Sequence, residues 1–306
     1  MKVAVTGATG TIGRAVVSAL LERGDSVVAL SRNAASAREK LGDGSAVEVH
    51  EWRDPKAEPA PAEAFADVEG VIHLLGEPVA QRWSDEAKEE IRDSRVLGTR
   101  NLVEGLRAAA GPRLKVLVSQ SASGFYGPRG DEVVDESQPA GSDFLADVVV
   151  AWESEVRAGA EELGLRAPIC RTGVVLSPSG GALEKMLLPF KLGVGGPVAG
   201  GQQYMPWVHI DDVVGALLFA LDNEDAEGPM NVTAPEPVTN KDFSKALGRA
   251  LHRPAVMPVP GFAIRTLYGE MATIVTTGVR AVPKRLLELG YRFERADLGE
   301  ALSAAI

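Results

Sequence analysis

The sequence predicts an α/β protein with a doubly wound parallel sheet in its first half and a smaller, loop-rich C-terminal lobe. Three observations carry this prediction. Short β-branched and apolar runs alternate with helical patterns over the first 175 residues. The segments between the runs are long enough for the crossovers that parallel pairing needs. The first run ends in a glycine-rich turn, Gly7-Ala8-Thr9-Gly10-Thr11-Ile12-Gly13, that opens directly into a helix. In that strand–turn–helix context the architecture is Rossmann-type.

Taken in order, Lys2–Thr6 is the first strand. Ile12–Glu22 is the first helix, because Ile12, Val16 and Leu20 recur every four residues and Gly24 suits its end. Ser26–Leu30, Val47–Trp52, Gly70–Leu75 and Leu114–Ser121 are the next strands. The longest crossover, 85–110, reads as a helix that Ser84 can cap, with Asp85 and Glu86 suiting its positive end. Leu145–Leu163 and Pro168–Val175 add a helix and a strand, so residues 1–175 are expected to form one domain. Over 176–306 the texture changes to short elements broken by Gly180-Gly181, the run Gly193–Gly201, Pro206, Pro229, Pro235 and Pro237. Helical segments follow at Asp211–Leu221, Asn240–Leu251, Pro283–Leu289 and Leu298–Ala305. Such a part is expected to build over the carboxyl ends of the strands, where open α/β sheets bind ligands.

Composition excludes several function classes. The chain has 306 residues, 32 Lys+Arg against 42 Asp+Glu, and a formal charge of −10. Nucleic-acid binders draw affinity from a concentrated basic face, so no nucleic-acid partner is expected. With 45% hydrophobic and 24% charged residues, the chain is neither disordered nor collagen-like. One cysteine, Cys170, allows no internal disulfide and no C-x-x-C pair, in keeping with a reducing compartment. KVAVT is too short for the apolar core of a signal peptide, and no apolar stretch approaches the roughly 20 residues that cross a bilayer. The expectation is a soluble, cytoplasmic protein with no membrane partner.

The glycine-rich turn is the most informative motif. Gly7 allows the tight turn, Gly10 lets a pyrophosphate approach the backbone, Gly13 lets the helix pack close to the sheet, and free N–H groups at the helix start receive the anion. A plain turn is the alternative, and the strand–turn–helix context argues against it. Gly7, Thr9, Gly10, Thr11, Ile12 and Gly13 are therefore the candidate dinucleotide cradle. The second strand ends Leu30-Ser31-Arg32-Asn33, without the carboxylate that NAD enzymes usually offer the ribose about 20 residues on. Ser31 followed by Arg32 suits a 2′-phosphate held in a charge-assisted fork. The expected cofactor is NADP(H); the alternative for Arg32 is a solvated surface cation. Arg14 either adds to this positive field or is an ordinary exposed helix residue.

GATGTIG, the strand end Val116–Ser121 with SQSASGFYG running to Gly127, and RVLGT at Arg95–Thr99 together resemble extended short-chain dehydrogenase/reductases of the nucleotide-sugar epimerase type. HLLGEPV (His73–Val79), Arg82-Trp83, SRVLGT, Trp152-Glu153, RTGVVLSPSGGAL (Arg171–Leu183), LGVGGPVAGGQQYMPWVHIDD (Leu192–Asp212) and VPKRLLELGYRF (Val282–Phe293) are similar to an atypical subgroup, the epimerase family proteins, over essentially the whole chain. The resemblance implies the pyrophosphate at Gly7–Gly13, the adenosine phosphate at Ser31-Arg32, and Leu74, Leu75 and Gly76 beneath the nicotinamide-side ribose. It also implies cofactor contacts at Arg95, where extended relatives carry the Asn of N-x-x-G-T, and at Val175 near the nicotinamide. Glu90 either joins the Arg95 patch or is one charge on a solvated helix. Short-chain relatives often pair through helices such as 85–110 and 145–163, which implies a homodimer.

An active short-chain reductase uses Tyr as acid/base, with a Lys four residues later lowering its pKa and a Ser polarising the substrate oxygen. The segment that should carry the pair, 144–153 (FLADVVVAWE), has neither Tyr nor Lys. This loss resembles the atypical subgroup and leaves the catalytic residues unassigned. Ser121 and Ser123 end the fifth strand and Tyr126 follows, so Ser121 and Tyr126 are substrate-pocket candidates. A Tyr with a pKa of about 10 and no adjacent Lys is a poor acid/base at neutral pH, and Tyr126 is alternatively a packed aromatic. Arg82 and Trp83 offer a substrate an anion clamp and a stacking face, or they brace the loop. In His209-Ile210-Asp211-Asp212 the acids read as caps of the apolar run Val213–Leu221 rather than as ligands, so no metal site is expected. Two function classes stay open. One is an NADP(H)-dependent oxidoreductase or epimerase-like enzyme whose small-molecule substrate, a sugar nucleotide or a carbonyl compound, sits between sheet and lobe. The other is a catalytically silent NADP(H) sensor that docks a partner. Loss of Tyr and Lys favours the sensor; the retained lobe and Gly-rich loops favour the enzyme.

Overall fold

The computed structural model describes residues 1–42, 46–109, 111 and 113–306. Seven strands form one parallel sheet: β1 (Lys2–Thr6), β2 (Ser26–Ser31), β3 (Val47–Glu51), β4 (Gly70–His73), β5 (Val116–Ala122), β6 (Pro168–Thr172) and β7 (Gly228–Val232). Their order is β3-β2-β1-β4-β5-β6-β7, so the winding reverses between β1 and β4. The carboxyl ends at that reversal open the crevice in which such sheets take ligands. Thr6 lies beside Leu30 on one side and His73 on the other. The glycine-rich turn, Ser31-Arg32 and Leu74–Gly76 therefore leave the sheet at one edge.

The helices in chain order are α1 (Thr11–Glu22), α2 (Ala34–Leu41), α3 (Asp85–Ala109), α4 (Phe144–Leu163), α5 (Gly181–Lys191), α6 (Ile210–Asp222), α7 (Asn240–Ala250), α8 (Gly261–Tyr268), α9 (Ala272–Thr276), α10 (Lys284–Glu288) and α11 (Leu298–Ala304). One face of the sheet is covered by Val16 and Leu20 of α1 with Val213 and Leu217 of α6. The other is covered by Leu102 and Leu106 of α3 with Trp152 and Val156 of α4. Each such side chain contributes about 1.5–3 kcal/mol of burial, and two apolar faces explain why the central β1 (KVAVT) and β2 (SVVALS) run almost continuously apolar, whereas the edge strand β3 (VEVHE) alternates. α4 begins where Asp143 accepts the Ala146 N–H at 2.9 Å and ends at Gly164, whose φ of 65° an L side chain would resist. The last residue of the predicted 85–110 helix, Ala110, lies outside the described residues.

The chain after residue 176 differs from the expected run of short lobe elements. β7 and α6 return to the central sheet, and α2 adds a helix that the periodicity did not reveal. β7 tolerates Pro229 because it is an edge strand, with only β6 beside it. The lobe itself packs Leu176, Leu183, Phe190, Trp207, Phe243, Leu247 and Leu302 into a core of its own. It is laced by a parallel ribbon of Val174–Leu176 with Trp207–His209 and an antiparallel one of Tyr204–Met205 with Val238–Thr239. A third ribbon joins Val133–Val134 to Arg280–Ala281 across the crevice. Among the described residues, no helix is long and apolar enough to cross a membrane.

Candidate functional site

The floor of the crevice is a buried hydrogen-bond chain linking β1, β4 and α3. Leu74 donates its N–H to Thr6 Oγ1 at 3.1 Å, Thr6 Oγ1 lies 2.8 Å from His73 Nδ1, and His73 Nε2 lies 3.0 Å from Thr99 Oγ1. Each ring nitrogen of His73 thus has a threonine hydroxyl as its partner, and a hydroxyl can donate to or accept from either. Burial drives the His73 pKa down to about 3, which keeps the ring neutral.

On this floor stands the glycine cradle. Gly7 has φ 64°, and a Cβ there would meet the Leu74 carbonyl oxygen at 2.7 Å. Gly10 donates to the Gly7 carbonyl at 3.0 Å and starts α1 with no side-chain cap. A Cβ on Gly13 would lie 2.2 Å from the Gly7 oxygen. The N–H groups of Thr11, Ile12 and Gly13 therefore stand at an uncapped helix start with no intrahelical acceptor, and Thr9 and Thr11 are half-buried beside them. An anion is the group this end attracts. The lobe reaches the same place: a Cβ on Gly180 would sit 2.6 Å from Thr11 Oγ1, and Lys185 of α5 donates to the Ala80 carbonyl.

At the end of β2, Ser31 is half-buried and Arg32 exposed, with no acid partner among the described residues. Asn33 caps α2 by accepting the Ser36 N–H at 2.8 Å. Glu51, aligned with Ser31, is the carboxylate beside this strand end, and Arg53 binds it. Arg14 is exposed.

Beyond β4, Leu74 and Leu75 are half-buried and Gly76 lies flat against Arg95: a Cβ there would be 3.0 Å from the guanidinium carbon. Arg95 Nη1 donates to the carbonyls of Glu77 at 3.0 Å and Ile91 at 2.9 Å, and its guanidinium lies 5.3 Å from the Trp152 ring centre. Burial lowers its pKa to about 10, still a cation at neutral pH. Glu90 is exposed and paired with Lys56 at 2.5 Å rather than with Arg95. Trp83 braces the loop, donating to the Val79 carbonyl at 3.0 Å and meeting Phe144 edge-on at 5.0 Å, whereas Arg82 is exposed. Val175 is half-buried in its ribbon against the core beneath α1.

Ser121 and Tyr126 sit in a sealed polar network instead of an open pocket. Ser121 donates to Glu153 Oε1 at 2.7 Å; Glu153 also accepts Arg171 Nε and Nη2, each at 2.8 Å, and Arg157 Nη2 at 2.5 Å. Tyr126 is fully buried, accepts Arg171 Nη1 at 3.0 Å and donates to Asn231 Oδ1 at 2.7 Å. Burial raises its pKa above the ordinary phenol value, so this hydroxyl holds Arg171 and Asn231 in place. Ser123, by contrast, is half-exposed at the end of β5. In the HIDD segment His209, not an Asp, caps α6 by accepting the Asp211 N–H at 3.2 Å. Buried Asp212 receives the N–H groups of Glu294 at 2.7 Å and Arg295 at 3.0 Å, fastening the C-terminal segment. Among the described residues, no group of His, Cys, Asp or Glu is placed to hold a metal.

A glycine cradle at the winding reversal of a parallel sheet agrees with the family comparison, in which residues 3–233 match the model of the NAD dependent epimerase/dehydratase family. The chain belongs to that family. Residues 259–305 of the chain match a domain of unknown function, DUF1731. Epimerase family protein Mb2239 of Mycobacterium bovis is 39% identical over 305 residues, spanning 99% of this chain and 97% of its own. Human epimerase family protein SDR39U1, whose crystal structure is with NADPH, superposes with a TM-score of 0.85 at 32% identity over 100% of this chain and 99% of its own. The nucleoside-diphosphate sugar epimerase of Corynebacterium glutamicum superposes with a TM-score of 0.77 at 32% identity over 100% of this chain and 58% of the other. Sequence reasoning about this family member did not single out Thr6, Thr99, Gly180, Lys185 or Arg280. Gly180 carried a local signal, as half of a Gly-Gly pair opening a helix, and Thr99 closed the RVLGT motif.

Proposed function

We propose that this chain binds NADP(H) in the crevice at the ends of β1, β2 and β4 and acts on a small anionic molecule of the sugar-nucleotide class. The observation that carries the reading is the cradle: Gly13 leaves no room for a Cβ, 2.2 Å from the Gly7 oxygen, and an uncapped α1 start faces outward. Thr11, Ile12 and Gly13 would hold the pyrophosphate, Ser31 and Arg32 the adenosine 2′-phosphate, and Leu74–Gly76 with Arg95 the nicotinamide-side ribose. Val175 would flank the nicotinamide, which supplies or accepts hydride when bound. Ser123 would orient a substrate oxygen, and α5, entered at Gly180 beside Thr11 and tied to the Ala80 carbonyl by Lys185, stands next to the glycine cradle. The NADPH complex of the human relative and the sugar-nucleotide name of the Corynebacterium relative support the two halves of the proposal.

One observation favours the silent sensor as a second reading: Val148, Val149 and Trp152 make the relevant face of α4 apolar, and Tyr126 is sealed. One measurement tests the cofactor assignment that both readings share, and a second separates them. Arg32→Ala should weaken NADPH by at least about tenfold, the value of a lost charge-assisted contact, and leave NADH unchanged; equal losses for both would sink the 2′-phosphate assignment. Turnover of NADPH with any of a panel of sugar nucleotides and carbonyl compounds supports the enzyme, whereas tight NADPH binding with no turnover supports the sensor.

A further inference from the structure

We propose that Arg280, laid on the ring of Tyr204, is a docking point for a phosphate or carboxylate of a small substrate, a role that rests on the cleft reading above. Arg280 belongs to the ribbon that crosses from lobe to sheet. Its neighbours are tied to the carboxyl end of β7, with Thr233 Oγ1 donating to the Ala281 carbonyl at 3.3 Å and Asn231 Nδ2 to the Val282 carbonyl at 2.9 Å. Val279 and Ala281 are buried with Tyr126 and Val134. Alternation along a strand turns Arg280 the other way, and its guanidinium carbon lies 4.8 Å from the Tyr204 ring centre. The spacing is set by backbone, since a Cβ on Gly278 would lie 2.2 Å from the Tyr204 carbonyl oxygen.

What points to a ligand is the missing counter-charge. Arg280 Nε is sealed from solvent and makes no hydrogen bond among the described residues. The two terminal nitrogens have neither a hydrogen bond nor an ion pair among the described residues and keep access to solvent. The chain carries ten more acidic than basic groups, yet none of the acids among the described residues is paired with this half-buried cation. A guanidinium that has lost part of its hydration without gaining an acceptor is destabilising unless something from outside supplies one. The planar fork matches an oxyanion, and the aromatic face orients it without neutralising it.

The test uses the full chain saturated with NADP⁺, so that the glycine cradle is filled, and follows the arginine Nε–Hε resonance of Arg280, assigned by its disappearance in Arg280→Lys. Inorganic pyrophosphate probes the phosphate source and glucuronate the carboxylate source. One of the two should shift the resonance saturably. Arg280→Ala should then weaken that probe by at least about tenfold and Arg280→Lys by less, with NADPH affinity within about twofold of wild type. The proposal is overturned if neither probe moves the resonance, if Arg280→Ala binds the probe as wild type does, or if NADPH affinity falls in parallel. Loss of NADPH binding by the wild-type chain would instead overturn the cofactor reading, a separate outcome. If Arg280→Ala fails to fold, Tyr204→Leu, which leaves the cation and removes its platform, should weaken the same probe, and unchanged affinity there overturns the proposal.

Discussion

Replacing Glu153 by Gln keeps the shape of the side chain and removes its charge, and the cost can be worked from the geometry. The Glu153 side chain is 1% exposed and that of Arg171 3%, so neither charge has water to fall back on. The carboxylate meets Arg171 through two parallel bonds of 2.8 Å and accepts Ser121 at 2.7 Å. The amide nitrogen of Gln would instead face one of these donors. Leaving one partner of a buried pair unmatched costs about 3–5 kcal/mol; the Arg157 contact, half-exposed at 47%, adds little. With an unfolding entropy of about 2.1 cal/mol/K per residue over 306 residues, the melting temperature should fall by about 5–8 °C in a calorimetric scan. Removing both charges, as Glu153→Gln with Arg171→Met, should recover most of the loss, because the penalty belongs to the orphaned guanidinium. NADPH affinity should stay within about threefold, since the network lies behind the ends of β5 and β6, away from Gly7–Gly13. A shift under 1 °C, or a double variant no more stable than the single, would refute the claim that this pair is structural and mutually dependent.

Two further outcomes follow from the crevice. Gly13→Ala forces a Cβ to 2.2 Å from the Gly7 oxygen and 2.8 Å from the Ala8 backbone; NADPH binding, followed by fluorescence titration, should weaken by at least about 100-fold while the far-UV spectrum is retained. His73, with a folded pKa of about 3 against 6.5 ordinarily, takes up a proton on unfolding at acid pH. Its contribution to stability is complete above about pH 6.5 and falls by about 1.4 kcal/mol per unit as pH drops toward 3. His209 is also lowered by burial, so the readout is the difference between wild type and His73→Gln in urea titrations from pH 7 to 5. The variant should lose that slope, and an unchanged slope would show that His73 is not the group titrating.

Legibility from sequence followed how local the physics is. The β1–turn–α1 unit could be read because a strand, three glycines and a four-residue apolar repeat are contiguous. The 144–153 segment could be read as lacking the catalytic pair because absence within ten residues is also local. β7 was obscured because Gly228 and Pro229 look like loop, and only its edge position makes Pro229 acceptable. The Glu153–Arg171 pair, 18 residues apart, and the Asp212 clamp on Glu294 and Arg295, more than 80 apart, are products of packing with no trace in spacing. Ser121 and Tyr126 were read as pocket residues from their place at a strand end. Whether such a hydroxyl faces ligand or interior depends on the helix that covers it, and here α4 supplies Glu153.

The arginines divide by what holds them, and the division carries chemical meaning in an acidic chain. Arg171 is gripped by a carboxylate, which cancels its charge. Arg166 spends its donors on the carbonyls of Ala220, Leu221 and Ala226 at the end of α6, where a cation answers the negative end of the helix dipole. Arg95 and Arg280 differ from Arg171, which itself lies 3.4 Å from the Phe125 ring centre, in lacking a carboxylate, and Arg95 shares with Arg166 its bonds to carbonyls, those of Glu77 and Ile91. Each lies near an aromatic ring, Trp152 or Tyr204, and neither has a carboxylate partner among the described residues. An ion pair would fix these side chains more firmly but would leave no net charge to offer; an aromatic face restrains the guanidinium while its charge stays available. Arg95 stands beside Gly76 just past the carboxyl end of β4, and Arg280 on the ribbon whose neighbours are tied to the carboxyl end of β7. On the proposed reading, that placement lets a chain of charge −10 receive polyanionic ligands, because the local field of a few unneutralised cations and one uncapped helix start outweighs the global one over the few ångströms that binding requires.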